Sequence, residues 1–207
     1  MNLDASIIAY IDEKLFLPEH LTKDECVKFR EKIEKYLNNR SSKETFFKNL
    51  DDTVEFLEKV GLNYHEIIMC IFNWPSIIHS DKNDLLYKYL VLGIPKRYNL
   101  SDIDRDDILV NHPKDLMTGI DTVYARIMFF LSEESKDVTR KNVITRRKLL
   151  KITNKEFEEF YGFSRDNIVS KYPFTKDSLK SVLSLDYNKE VVERFYGNSK
   201  EFGRRSS

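Results

Sequence analysis

Eight cations crowd one short stretch of the chain: Lys136, Arg140, Lys141, Arg146, Arg147, Lys148, Lys151 and Lys155 fall within residues 136–155, against Asp137 alone. The apolar residues between them, Val143, Ile144, Leu149, Leu150 and Ile152, have a helical spacing that gathers Arg140, Lys141, Arg147, Lys148 and Lys151 over one broad face. Ammonium and guanidinium groups set along a helix suit the phosphates of a nucleic acid, because each contact releases a condensed counterion. Arg140, Lys141, Arg146, Arg147, Lys148, Lys151 and Lys155 are therefore candidate nucleic-acid-binding residues. The same pattern also fits a solvated helix face or the binding of an acidic protein surface.

Catalytic chemistry has less to work with. The histidines His20, His65, His79 and His112 lie far apart without HExxH spacing, so a metal site would have to be assembled from four helices. No GxGxxG, GxxxxGK[ST] or GxSxG occurs, and the glycines stand where helices should end. Asp102, Asp104, Asp106 and Asp107 lack the order and loop glycine of an EF-hand, and acids in the first turn of a helix are explained by its dipole. Cys26 and Cys70 have neither CxxC spacing nor histidine partners, which reads as two packing thiols in a reducing, intracellular and cytoplasmic protein. We expect no catalytic residue, metal, cofactor, small-molecule substrate or enzymatic turnover. Phe72 and Trp74, beside Pro75, are candidate partner-binding aromatics, although a lone Trp among apolar residues is more often core.

Composition sets the frame for these groups. The 207 residues hold 34 Lys and Arg against 34 Asp and Glu, and this zero net charge argues against a uniformly basic coat. A hydrophobic content of 41% allows a sizeable core, and six Gly with five Pro are too few for a turn-rich sandwich or barrel. The apolar run Ile7 to Ile11 is far shorter than the roughly 20 residues that cross a bilayer, and no Arg precedes Arg30, so neither a membrane partner nor a signal or transit peptide is expected. All-α architecture remains.

Helix signals run along the chain accordingly. Thr22-Lys23-Asp24-Glu25 is a capping box ahead of Cys26, Phe29, Ile33, Tyr36 and Leu37 at helical spacing. A second stripe, Phe47, Leu50, Val54 and Leu57, stops at Gly61. Between Val123 and Leu131 the residues are apolar on nearly every side apart from Arg126, which places this helix at the centre of the fold. Thr153-Asn154-Lys155-Glu156 caps a short helix through Phe157, Phe160 and Tyr161; Gly162-Phe163-Ser164 turns, and residues 165–171 form a second. This outline fits a helix-turn-helix offering Arg165, Asn167, Ser170 and Lys171, or more simply a packed helical hairpin.

Beyond Gly61 a unit recurs. A short amphipathic segment with Ile67, Ile68, Ile71 and Phe72 ends in Asn73-Trp74-Pro75, and 38 positions later Asn111-His112-Pro113 ends a similar segment. Apolar pairs follow both prolines, Ile77 and Ile78 or Leu116 and Met117, and Asp84, Leu86, Tyr87 and Leu90 match Asp121, Val123, Tyr124 and Ile127 in phase. A looser third copy runs from Gly162 to Pro173. Each proline closes one helix and fixes a bend, and stacked bends make a curved array of helical hairpin repeats, α-solenoid-like; an irregular helical bundle is the alternative.

This order of short helix, proline, apolar pair and longer helix resembles the repeat of the mitochondrial transcription termination factor family. The likeness rests on residues 54–62, Ile67, Ile68, Asn73, Trp74, Pro75, Ile77, Ile78 and residues 85–93, with an echo over 100–131, about half the chain. It implies a curved helical solenoid that holds double-stranded DNA or structured RNA on a basic concave face. The interval of 60 between Pro113 and Pro173 and the zero net charge depart from the family pattern. The sequence thus predicts one helical domain over 1–197, with N-terminal helices to 61, repeat-like units over 62–197 and a flexible tail at 198–207. It predicts a non-enzymatic module binding nucleic acid in transcription or translation control, or a protein-interaction adaptor using aromatic grooves.

Overall fold

The computed structural model describes residues 4–37, 42–94, 105–132 and 152–197. Among these residues 82% are helical and no strand occurs. The helices are α1 (Ala5–Leu15), α2 (Leu17–His20), α3 (Lys23–Leu37), α4 (Lys43–Val60), α5 (Tyr64–Asn73), α6 (Lys82–Val91), α7 (Arg105–Asn111), α8 (Ile120–Leu131), α9 (Asn154–Tyr161), α10 (Arg165–Lys171), α11 (Lys176–Leu183) and α12 (Lys189–Tyr196). Short 3-10 turns cover Pro75–His79, Pro113–Met117 and Asp186–Asn188. The chain forms two compact units, Met1–Lys82 with Val110–Pro113, and Asn83–Leu109 with Lys114–Ser207. The tail expected at 198–207 lies outside the described residues.

In the first unit, local capping decides where helices start. Thr22 donates its amide to Glu25 Oε2 at 2.9 Å, and Glu25 N donates back to Thr22 Oγ1 at 3.4 Å, closing the expected box on α3. Asn63 and Glu66 make the same reciprocal pair at the head of α5, a box that reading Thr alone overlooks. Each cap is worth about 1 kcal/mol. Gly61 ends α4 in the left-handed region at φ 109, where a Cβ would be strained. Phe16 takes up a left-handed conformation without being glycine, at φ 50, between α1 and α2. Its neighbours Leu15 and Leu17 are both fully buried, and roughly 2 kcal/mol of burial on each side offsets the strain.

The core of this unit is Phe29, Ile33, Phe46, Leu50, Val54, Leu57, Ile67, Ile71, Ile77 and Ile78. Pro75 opens its 3-10 turn directly after α5, as expected of a helix-closing proline. The turn's carbonyls are met by an ammonium: Lys82 Nζ donates to Ile77 O at 2.8 Å and to Ser80 O at 3.0 Å.

A second proline also opens a 3-10 turn. Pro113 follows α7 and opens a second 3-10 turn, and Lys88 Nζ donates to Leu116 O there at 2.9 Å while pairing with Asp84 one helical turn back. Pro173 follows Tyr172, the residue that caps the end of α10, whose backbone angles (φ −126, ψ 69) are close to those of Trp74 (φ −141, ψ 74). Asp106 and Asp107 stand in the first turn of α7, and Asp106 accepts the hydroxyl of Tyr89. The apolar core gathers Ala125, Phe129, Phe157, Tyr161 and Ile168 from α8, α9 and α10. Asn188, fully buried, ties Leu90 O and Val182 O to its amide at 3.0 and 2.8 Å and accepts from Arg105 at 2.6 Å.

Candidate functional site

Helix α8 carries two of the four polar side chains buried in the second unit among the described residues. Its N-cap is Gly119, which has no side chain to meet the first amides. Thr122 and Arg126, one turn apart, share a face and are buried at 1% and 2% exposure. A guanidinium can be held in such a place only if its N–H groups are satisfied. Arg126 donates to Ile152 O and to Asn154 Oδ1, each at 2.9 Å, and lies over the Phe157 ring. Burial lowers its pKa, and the neighbouring Tyr161 works in the opposite sense; the guanidinium stays cationic at any ordinary pH. Burial likewise raises the Tyr161 hydroxyl, while Arg126 draws it down.

A second arginine converges from α10. Arg165 Nε donates to Thr122 Oγ1 at 3.1 Å, and its NH1 reaches Asp166 at 3.2 Å. Ser164 caps α10 through its hydroxyl, and Gly162 at φ 75 turns the chain from α9 into it, so Arg165 is placed by two local signals the sequence carries. On the third side, the Thr153 capping box fixes the start of α9: Thr153 N donates to Glu156 Oε2 at 2.6 Å and Glu156 N to Thr153 Oγ1 at 3.1 Å. Between these elements lies a cavity of about 390 Å³ whose walls include Thr118, Gly119, Arg126, Thr153 and Arg165. The guanidiniums and helix-head amides are donors, while the Thr122 and Thr153 hydroxyls accept from Arg165 and Glu156. The arrangement suits an oxyanion.

The sequence-derived candidates fall differently. Lys155 is on α9 with its side chain 86% exposed, 3.7 Å from Glu159. Arg140, Lys141, Arg146, Arg147, Lys148 and Lys151 lie outside the described residues. Trp74 is 6% exposed and belongs to the first unit's core, its indole Nε1 buried without a hydrogen-bond partner among the described residues. Phe72 is half-buried, stacked on Phe29 at 6.3 Å with Lys32 Nζ 3.9 Å above its ring. Of the helix-turn-helix candidates, Arg165, Asn167, Ser170 and Lys171 are exposed on α10 while Ile168 is core. Both thiols are free and buried, and burial pushes Cys70 up to about 12. Among the described residues no group of three or more His, Cys, Asp or Glu side chains is placed to hold a metal, and no helix is long and apolar enough to cross a membrane.

Sequence reasoning missed the Thr122, Arg126 and Arg165 constellation. The available signal was a charge inside an otherwise apolar helix, since such a charge has to be met by something. Set beside protein-family models, curated proteins and solved structures, the chain matches none of them.

Proposed function

We propose that the chain is a non-enzymatic module that binds nucleic acid, DNA or structured RNA, through its phosphates, in the control of transcription or translation. The observation that carries this reading is the continuity of the basic run 136–155 with Ile152, Thr153 and Asn154, on which Arg126 is anchored. Residues 152–154 of the run line, with Arg126 and Arg165, a cavity that suits an oxyanion. The site's side chains supply positive charge and hydrogen-bond donors and no nucleophile paired with a base, so binding, with no chemical step, is the role they fit.

The scaffold we propose is a set of helical repeat units. Two 3-10 turns opened by Pro75 and Pro113 support it, as does the matched backbone of Trp74 and Tyr172 before Pro75 and Pro173. So does the repeated entry, a left-handed glycine followed by an apolar residue and a capping Asn or Ser, at Gly61-Leu62-Asn63 and Gly162-Phe163-Ser164. These features are also what the resemblance to the mitochondrial transcription termination factors would require.

The test is a titration of duplex DNA and of structured RNA at two or more salt concentrations, followed by fluorescence anisotropy. Changing Arg147 and Lys148 together to Ala should weaken binding evenly across sequences and lower the slope of log K against log salt by about 2. No salt-dependent binding by the unmodified protein sinks the reading. A protein adaptor would instead lose its partner on Phe72→Ala.

A further inference from the structure

We draw no further inference here: the strongest candidate, the surface cluster on the second unit in which the half-buried rings of Tyr87 and Tyr124 pack against Phe174 at 6.5 and 5.1 Å, carries nothing because no feature of the structure shows what covers it.

Discussion

Replacing Asn188 by Ala should be among the costliest single changes in the second unit. Its side chain, fully buried, makes three hydrogen bonds: Nδ2 to Leu90 O at 3.0 Å, Nδ2 to Val182 O at 2.8 Å, and Oδ1 from Arg105 NH1 at 2.6 Å. The two neutral bonds are worth about 1 kcal/mol each and the charged one about 2, so roughly 4 kcal/mol is lost when the carbonyls and the guanidinium are left without this partner. Gly93 supplies an internal check. A Cβ there would stand 2.7 Å from Asn188 Oδ1, 3.1 Å from Leu90 O and 3.3 Å from Arg105 NH1. Gly93→Ala should therefore destabilise the protein on its own and cost less, by about 1 kcal/mol, once Asn188 is Ala, because the closest obstruction is then gone. Urea unfolding of the four proteins, followed by far-UV circular dichroism, measures both quantities if the m-values agree. A loss below about 1.5 kcal/mol for Asn188→Ala, or strict additivity with Gly93→Ala, would refute the reasoning.

Two further outcomes follow from local chemistry. Hydrogen bonds from Lys43 and Ser6 hold the Asp4 carboxyl down from its ordinary 3.8 to about 2, so its folded-state value is depressed. The stabilisation it gives is complete above the ordinary value and is lost as pH falls through that window; Asp4→Asn should flatten the fall in thermal midpoint between about pH 4 and 2, and an unaltered acid limb would contradict the assignment. Cys26 and Cys70 are buried and Cys70 is pushed up to about 12, so a thiol reagent at neutral pH should modify neither in the folded protein and both in denaturant. Rapid labelling of either native thiol would show that its burial is incomplete.

The features legible in the sequence are those decided within one helical turn. The Thr22 and Thr153 capping boxes, the stops at Gly61 and Gly162, and the helix boundaries at Pro75, Pro113 and Pro173 all depend on neighbours at most a few residues away, and periodicity exposes the apolar faces they delimit. The break at Phe16 gave no such sign. A left-handed phenylalanine is held by the burial of Leu15 and Leu17, which only tertiary packing supplies. The cavity at α8 was hidden for the same reason: Arg165 meets Thr122 across 43 positions, and Arg126 meets Asn154 across 28. Its trace in the sequence was Arg126 alone among apolar neighbours. Trp74 illustrates the opposite case, since an aromatic beside a proline fits a binding face and a core equally well until its surroundings are known.

Trp74 is the chain's single tryptophan, and it is packed inside the first unit. Intrinsic emission excited at the indole is therefore an optical label that evolution has placed on one unit only, while the second contributes tyrosine and phenylalanine signals. Helical ellipticity, by contrast, sums over both. The pair of signals partitions any melt of the intact protein by unit without a dye or a truncation. A second-unit variant such as Asn188→Ala displaces the ellipticity directly, and it displaces the indole's emission only to the extent that the two units unfold as one.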